Sequence, residues 1–453
     1  MRMQSRADQN KGPGTPGRSV RLIEAVTIFA FWLAFVSVCR SRADSGTSHP
    51  TDPQAELAYH LQHFGDAFGY ARHVVHRGDS VSELPRAERP LNVHYRWSVW
   101  RGDQTLDDFL ARTGTTGFLV LKDGKIVSER YFMGASEKSL FMSESVAKSF
   151  TSTLVGLALA DGKIQSVDRP VTDYVPELKD SGFEGVSIED LLDMSSGINF
   201  TEEYTDPSSS VNVLWHSTIE GNLKANDFAK SLQSAQPPGR VFVYQSINTQ
   251  VLGWLVKRVT GESLADYLSQ KIWQPLGMEQ DATWVTDRGP DAMEAAYCCL
   301  NVTLRDFARF GLLFMNKGKW NGRQVVPEQW VAQATTPHGR QVQPGNLLSG
   351  FPLGYGYQWW TFPGNEHAFS AIGLYQQFIY VSPADGVVIV KTSAPVADYT
   401  KPNFEHVGDV CCVRGNLPSA PRPVTFSREQ SAIAVSAGLP PCAAIFWLSS
   451  RAN

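Results

Sequence analysis

Residues 141–163 read FMSESVAKSFTSTLVGLALADGK. From residue 145 to 160 every side chain is small, apolar or hydroxylic except that of Lys148. A surface helix carries a polar stripe, so a helix with almost none is predicted to be enclosed by protein. Glu144 and Asp161 bracket the segment short of the roughly twenty apolar residues that a membrane span needs. The sequence therefore predicts a buried helix that contains one cation.

The cation in this helix has a hydroxyl beside it. Burial lowers the pKa of a lysine because it disfavours the ammonium form, which makes Lys148 a candidate base near neutral pH. Ser145 precedes it by three residues, and residues three apart lie on one face of a helix. Ser145 also lies near the helix start, where unpaired backbone N–H groups and the helix dipole stabilise an oxyanion. This Ser-x-x-Lys spacing is the one that penicillin-recognising enzymes use for a serine nucleophile and its base.

The composition indicates a folded chain that does not bind nucleic acid. Its 453 residues are 42% hydrophobic, which is enough for one large or two medium domains. The formal net charge of -4 shows no basic excess, so we expect a small-molecule partner and no nucleic acid. The six cysteines and ten histidines form no Cys-x-x-Cys or His-Glu-x-x-His motif, so we expect no metal and no cofactor. Vicinal cysteines rarely bridge each other, so Cys298-Cys299 is not expected to belong to a disulfide framework.

The first 43 residues have the pattern of a secretory signal peptide. A basic segment, 1–21, is followed by the apolar run AVTIFAFWLAFVSVC and by a candidate cleavage site at 41–43 with small residues at its first and third positions. Two alternatives stay open: residues 22–39 remain uncleaved as a membrane anchor, or they form a buried core helix. We therefore expect an exported protein, periplasmic or secreted, or one that this segment anchors to the membrane.

The remaining chain indicates an α+β fold. Asp123-Gly124 lies between two strand-like runs and is a strong hairpin signal. Residues 167–333 are helical in pattern, and capping motifs there predict helix starts at Ser187, Ser263 and Thr303. The chain past Gly354 is strand-like again. We expect an antiparallel sheet formed from N- and C-terminal segments and flanked by helices, with an all-helical subdomain. The expected domains are a signal peptide or anchor (1–43), a linker and N-terminal extension (44–104), a catalytic domain (105–406) and a divergent tail (407–453).

A second segment carries a candidate proton relay. Residues 237–249 read PPGRVFVYQSINT and precede a helical run. Tyr244 at the mouth of a helix, followed two residues later by the hydroxyl of Ser246, can pass protons between the nucleophile, the leaving group and Lys148. The alternative is a tyrosine that only packs.

These motifs together resemble those of the serine hydrolases of the β-lactamase-related superfamily, in the class C-like branch. That branch holds esterases, D-amino-acid peptidases and 6-aminohexanoate-dimer hydrolases. The resemblance runs over about residues 105–400: Ser145-Val-Ala-Lys148 resembles the first motif, and Tyr244-Gln-Ser246 resembles the second. Ala371-Ile-Gly373 lies where the family has Lys-Thr-Gly. The resemblance implies the β-lactamase and penicillin-binding transpeptidase-like fold.

The resemblance also implies a role for each matching residue. Ser145 would be the acylated nucleophile and Lys148 its base. Tyr244 would protonate the leaving group and, with Ser246, hold the network.

The resemblance further implies an oxyanion hole and a substrate contact. The oxyanion hole would consist of the backbone N–H groups of Ser145 and of Leu374, which follows Gly373. Tyr204, in FTEEYTDP, resembles a substrate-contacting tyrosine of the 6-aminohexanoate-dimer hydrolases. Its alternative is an exposed loop tyrosine.

The departures from the family pattern bear on the substrate. Ala371 replaces the third-motif lysine, and Lys391-Thr-Ser393 is treated as a decoy because it ends the following strand. The lost cation would grip a β-lactam carboxylate, so its absence favours a neutral amide or ester. Gln376 and Cys298-Cys299 stand where the family frequently has glycine, and either change could narrow the cleft.

These inferences lead to a functional expectation. We expect a serine hydrolase that cleaves a linear amide or ester through an acyl-enzyme, resembling either a 6-aminohexanoate-oligomer hydrolase or an esterase. The first alternative is a penicillin-binding D-alanyl peptidase or a β-lactamase. The second is a catalytically silent, membrane-anchored binding module. The sequence sets no oligomeric state.

Overall fold

The structure is a computed structural model, and it describes residues 52–65, 68–88, 94–96, 103–347, 353–364 and 367–395. The predicted signal peptide or anchor, 1–43, and the predicted tail, 407–453, lie outside these residues. Among the described residues, no helix combines the length and the apolar character needed to cross a membrane.

Helices and short strands alternate along the described chain. The α-helices are α1 (Pro53–His63), α2 (Leu106–Arg112), α3 (Ala147–Ala160), α4 (Ile188–Leu192), α5 (Ser210–Trp215), α6 (Ala225–Ser231), α7 (Ser246–Thr260), α8 (Leu264–Leu268), α9 (Gln274–Leu276), α10 (Leu304–Met315) and α11 (Glu328–Ala334). The strands are β1 (Arg72–Val75), β2 (His94–Arg96), β3 (Asp103–Thr105), β4 (Thr115–Lys122), β5 (Lys125–Tyr131), β6 (Phe141–Met142), β7 (Ala282–Val285), β8 (Leu300–Val302), β9 (Lys319–Trp320), β10 (Arg323–Gln324), β11 (Gly354–Tyr355), β12 (Trp360–Thr361), β13 (Phe369–Gly373), β14 (Gln377–Ser382) and β15 (Val387–Ser393).

The predicted capping motifs begin three of these helices. Ser187, Ser263 and Thr303 each accept a hydrogen bond from the backbone N–H three residues later. Such caps satisfy amide groups that have no partner inside the helix. The helix starts predicted in this block are therefore confirmed.

Strands from both ends of the catalytic region form one sheet. In the described part of the chain, seven antiparallel strands follow the order β11-β12-β13-β14-β15-β4-β5. Strands β4 and β5 form the predicted hairpin, in which Asp123 and Gly124 adopt positive φ angles of 50° and 77°. The expected α+β fold with an antiparallel sheet drawn from N- and C-terminal segments is confirmed.

Each face of this sheet is covered. Side chains of β4, β14 and β15 on one face pack on Phe109 and Leu110 of α2. Helix α10 covers the other face, and it approaches closely because Gly311 has no side chain. A Cβ atom there would lie 2.7 Å from Val388 and 2.8 Å from Ile379, closer than real Cβ atoms come. The core therefore lies on both sides of the sheet.

A second sheet connects residues 72–75, which precede the catalytic region, with strands of that region. Its strands follow the order β1-β7-β8-β6, and β1 pairs with β7 through residues Arg72 to Val75. Helix α1 buries Leu57 and Leu61. Segment 44–104 was expected to be a linker and extension. Helix α1 and strand β1 of this segment are built into the fold, because their apolar side chains and backbone groups find partners there.

Helix α3 is the enclosed helix that the sequence predicts. All its residues from Ala147 to Ala158 are buried. Three hydroxyl groups of this helix donate to backbone carbonyl oxygens of neighbouring segments: Ser149 to Gln358 at 2.7 Å, Thr151 to Ala296 at 2.8 Å and Ser152 to Tyr357 at 2.8 Å. Small hydroxylic residues thus let other segments pack closely on the helix and satisfy their carbonyl groups.

Candidate active site

The turn before α3 presents Ser145. Ser143 holds this turn, because its N–H donates to the Leu300 carbonyl at 2.9 Å and its Oγ accepts from the Leu300 N–H at 3.0 Å. Glu144 follows with a φ of 46°, a left-handed conformation that costs about 1 kcal/mol or more in a residue other than glycine. Ser145 lies in the 3-10 turn Glu144–Val146 that leads into α3.

Lys148 lies at the centre of a polar cluster. Its Nζ atom lies 3.0 Å from the Ser145 Oγ, 3.0 Å from the Ser246 Oγ and 3.0 Å from the Tyr297 carbonyl oxygen. Only 1% of the residue is exposed. Burial lowers the pKa of Lys148 to about 8, while the carboxylates of Glu202 and Glu144 oppose this shift. The structure thus brings Ser145, Lys148 and Ser246 together, with a lysine that loses its proton more easily than usual.

Tyr244 closes the cluster from the segment before α7. A hydrogen bond joins its hydroxyl to that of Ser145, and its ring centroid lies 5.1 Å from the Lys148 Nζ. The ring stacks on Trp360 of β12 with centroids 5.6 Å apart, which fixes its position. Burial raises the pKa of Tyr244, so its phenol keeps its proton at neutral pH.

Strand β13 ends against the nucleophile turn. A Cβ atom on Gly373 would lie 2.7 Å from the Ser143 carbonyl oxygen and 3.0 Å from the Ser145 nitrogen. The residue after it, Leu374, begins the 3-10 turn Leu374–Gln376. The two predicted oxyanion donors, the N–H groups of Ser145 and Leu374, therefore belong to segments in contact with each other.

Glu202 completes the network, and our sequence reasoning missed it. Its carboxylate accepts from the Ser246 N–H at 2.8 Å, from the Ser246 hydroxyl at 2.5 Å and from the Tyr204 hydroxyl at 2.7 Å. Tyr204 is partly buried, and burial together with Glu202 raises its pKa well above the usual value. Tyr204 thus belongs to the same cluster. Glu202 stands two residues before Tyr204 in the quoted segment, but this spacing does not indicate its contact with Ser246.

Tyr297 also contributes to the cluster without a sequence prediction. Its carbonyl oxygen accepts from Lys148, whose Nζ lies 5.6 Å from the centroid of the Tyr297 ring. Its hydroxyl is buried and has no hydrogen-bond partner among the described residues. The next two residues, Cys298 and Cys299, are joined by a disulfide, contrary to the expectation that this vicinal pair would not bridge. Cys299 has a φ of 69°, in the left-handed region that favours glycine.

A second carboxyl group, that of Glu144, acts electrostatically on Lys148. Burial raises the pKa of Glu144 to about 7, while Lys148 acts in the opposite direction. The residue is 8% exposed, and its charge contributes to raising the pKa of Tyr244 and of Tyr297. From the sequence, Glu144 was interpreted only as the polar residue before the apolar segment. Its spacing from Ser145 and Lys148 does not show where its carboxyl group lies.

Strand β13 carries Ala371 where the Lys-Thr-Gly motif described above has its lysine. Ala371 is buried on this strand. Lys391 lies on β15, where its Nζ contacts the Ser393 hydroxyl and lies 3.4 Å from the Gln376 side-chain oxygen. Gln376 has a φ of 64°, so glycine would be the less strained residue there.

Among the residues that the structure describes, no group of three histidine, cysteine, aspartate or glutamate residues could hold a metal ion. The ionisable groups of the cluster named above are Lys148, Glu144, Glu202 and the three tyrosines.

Comparisons with known proteins agree with this geometry. Residues 103–398 match the Beta-lactamase family model. The 6-aminohexanoate-dimer hydrolase of Paenarthrobacter ureafaciens is 34% identical over 299 residues, covering 64% of this chain and 75% of that protein. A solved structure titled as a putative 6-aminohexanoate-dimer hydrolase from Bacillus anthracis is 26% identical with a TM-score of 0.72, covering 83% of this chain and all of that one.

More distant structures share the fold alone. A class C beta-lactamase matches with a TM-score of 0.53 at 17% identity, covering 70% of this chain and 95% of that one. The family match covers well over half of the chain and includes the whole cluster around Lys148. The chain therefore belongs to the beta-lactamase family, and it is a serine hydrolase with the beta-lactamase fold.

Proposed function

We propose that this hydrolase cleaves a linear amide or ester through an acyl-enzyme on Ser145. The observation that carries the proposal is the position of the Lys148 Nζ, 3.0 Å from the Ser145 Oγ in a buried site that lowers its pKa to about 8. A neutral amine at this distance can accept the serine proton, which makes the oxygen nucleophilic.

The acylation step follows from the contacts of Ser145. Lys148 takes the hydroxyl proton while the Oγ forms a bond to the substrate carbonyl carbon. The backbone N–H groups of Ser145 and Leu374 hold the oxygen on which negative charge develops. Tyr244, whose hydroxyl is hydrogen-bonded to Ser145, gives its proton to the leaving nitrogen or oxygen as the bond to carbon breaks. The proton on Lys148 then returns to Tyr244 within the cluster.

Deacylation repeats these transfers in reverse order. A water molecule attacks the acyl carbon and loses a proton to the same cluster. The ester bond to Ser145 breaks, and the serine oxygen takes a proton back. The cluster therefore ends each cycle with its starting number of protons.

The substrate class rests on which charges line the site. Ala371 offers no cation on β13 for a substrate carboxylate. The site carries carboxyl groups at Glu144 and Glu202 instead. A linear amide or ester fits this arrangement better than a β-lactam with its carboxylate. The relative named a 6-aminohexanoate-dimer hydrolase leads us to include linear ω-amino-acid amides among the substrates.

Two other functions remain as outcomes of the test. A penicillin-binding D-alanyl peptidase or β-lactamase would use the same serine and lysine, and it would turn over nitrocefin or hold it as a long-lived adduct. A silent binding module would show no acylation. The complete Ser145, Lys148 and Tyr244 cluster argues against the silent module.

The test uses purified protein and one serine variant. We expect the protein to hydrolyse 4-nitrophenyl acetate and to react with a fluorophosphonate in stoichiometric amount. Ser145→Ala should abolish both, whereas Ser136→Ala, an exposed serine upstream, should change neither. Persistence of either activity in Ser145→Ala would refute the assignment. A panel of short esters, linear ω-amino-acid amides, D-alanyl peptides and nitrocefin then identifies the substrate class.

We further propose a division of the chain and a location. Residues 1–43 act as a signal peptide or, uncleaved through 22–39, as a membrane anchor, so the enzyme works outside the cytoplasm. The catalytic domain spans 105–406, with 44–104 before it and a tail at 407–453. Cell fractionation with N-terminal sequencing of the mature protein tests this: recovery in the cytoplasm with residue 1 intact would contradict it.

A further inference from the structure

The Glu202 carboxylate determines where the Ser246 hydroxyl directs its proton. A carboxylate accepts hydrogen bonds and donates none. The Ser246 Oγ lies 2.5 Å from Glu202, and the Ser246 N–H donates to the same carboxylate at 2.8 Å. The hydroxyl proton of Ser246 therefore lies on the Glu202 side. The lone pairs of its oxygen face Lys148, whose Nζ is 3.0 Å away.

The three neighbours of the Lys148 nitrogen differ in what they can do. The Tyr297 carbonyl oxygen can only accept. Ser246 can only accept as well, because its proton is engaged by Glu202. The Ser145 hydroxyl, at 3.0 Å, has a proton that can turn toward the lysine. Among these three contacts, that of Ser145 is thus the one in which Lys148 can act as an acceptor.

The number of protons on the Lys148 nitrogen determines to how many neighbours it can donate. The ammonium form has three protons and can donate to all three neighbours. The neutral amine has two protons and one lone pair. When two neighbours require a donor, the two remaining protons point at them, and the lone pair points at the third. In the reactive neutral form, the lone pair is therefore directed at Ser145.

We propose that Glu202 is a positioning residue, which fixes the Ser246 hydroxyl as an acceptor and thereby aims the lone pair of Lys148 at Ser145. This inference rests on the proposed acyl-enzyme function of the same site. Glu202 need not touch the substrate for this role, since it acts through Ser246.

The substitution Glu202→Gln tests the orientation because it keeps the shape of the side chain. A glutamine offers one acceptor oxygen and one NH2 group, but Glu202 accepts from three donors, two on Ser246 and one on Tyr204. With the NH2 group against the Ser246 Oγ, the hydroxyl proton of Ser246 turns toward Lys148. It then occupies the lone pair that should receive the proton of Ser145.

A purely electrostatic role predicts a different result. The Glu202 charge raises the pKa of Lys148, so its removal lowers that pKa further. That effect alone would move the rise of kcat/KM to lower pH and leave the plateau at high pH unchanged. If the lone pair of Lys148 is no longer directed at Ser145, the plateau of kcat/KM at high pH falls instead, because the neutral amine becomes a poorer base.

The experiment is a pH profile of kcat/KM for 4-nitrophenyl acetate. We expect Glu202→Gln to lower the plateau about tenfold or more through kcat, a part of what a general base contributes. Glu203→Gln is the matched control, because the exposed Glu203 carboxylate accepts from Thr205 in its own loop. It should leave the plateau unchanged. An unchanged plateau in Glu202→Gln, with only a shifted limb, would overturn the proposal.

A double-mutant cycle with Ser246→Ala gives a second, independent test. If Glu202 acts through Ser246, then adding Glu202→Gln to Ser246→Ala lowers the plateau no further. Additive losses would contradict the proposal even if one variant is less stable, and fluorophosphonate titration counts the competent sites in each. Failure of wild-type protein to hydrolyse esters or take up the fluorophosphonate would instead refute the proposed function itself.

Discussion

The Oγ atom of Ser145 and the Nζ atom of Lys148 lie 3.0 Å apart, one in the turn before α3 and the other in its first turn. The contact is useful for catalysis only if the lysine can lose its proton. Lys148→Arg separates charge from basicity, because a guanidinium stays protonated at all accessible pH values. We expect kcat/KM for 4-nitrophenyl acetate to fall about 100-fold or more. Activity near that of the wild type would show that a positive charge suffices.

Tyr244 should matter more for amides than for activated esters. Its protonated phenol is hydrogen-bonded to Ser145, and we propose that it protonates the leaving group. An amine needs that proton to leave, whereas 4-nitrophenolate does not. Tyr244→Phe should therefore reduce kcat on a linear amide about 100-fold, and reduce it much less on 4-nitrophenyl acetate. Equal losses on both substrates would argue that the phenol serves another step.

Replacing Gly373 with alanine should reduce the catalytic rate strongly. An added Cβ would lie 2.7 Å from the Ser143 carbonyl oxygen and would push β13 away from the nucleophile turn. We expect Gly373→Ala to lower kcat about 100-fold, the size of effect seen when one oxyanion donor is lost. At Gly78 the nearest atom to an added Cβ is 3.5 Å away, so Gly78→Ala should keep full activity. Full activity of Gly373→Ala would contradict the proposed oxyanion hole.

The hydroxyl of Tyr297 should cost stability in the free protein. It is buried without a hydrogen-bond partner among the described residues, and such a group loses its hydration without compensation. Tyr297→Phe removes only this oxygen and keeps the ring beside Lys148. We expect the free energy of unfolding in urea to rise by about 1 kcal/mol. A fall of that size would mean that the hydroxyl has a favourable contact in solution.

Part of the site could be predicted because its residues lie close together in sequence. Ser145 and Lys148 are separated by one helical turn, and Tyr244 and Ser246 flank a single helix start. Such spacings have a direct geometric meaning. The structure brings all four together, as the resemblance implied. The sheet could also be predicted, because short apolar runs rich in β-branched and aromatic residues mark its strands and an Asp-Gly turn marks its hairpin.

The remaining residues depend on contacts between distant segments. Glu202 meets Ser246 across 44 positions, and Tyr297 meets Lys148 across 149 positions. No local pattern encodes such contacts, so neither residue was predicted. The Cys298–Cys299 disulfide was missed for a related reason. The rule that vicinal cysteines rarely bridge ignores the left-handed backbone that this turn imposes on Cys299.

We propose that Lys148 acts on Ser145 as a neutral base. The most direct measurement is the second-order rate constant for fluorophosphonate inactivation, followed from about pH 6 to about pH 10. The pKa of Lys148 is lowered to about 8, so its base form increases as the pH rises through that value. We predict that the rate constant rises through about pH 8 and then levels off. A rate constant that stays unchanged across this range would contradict it.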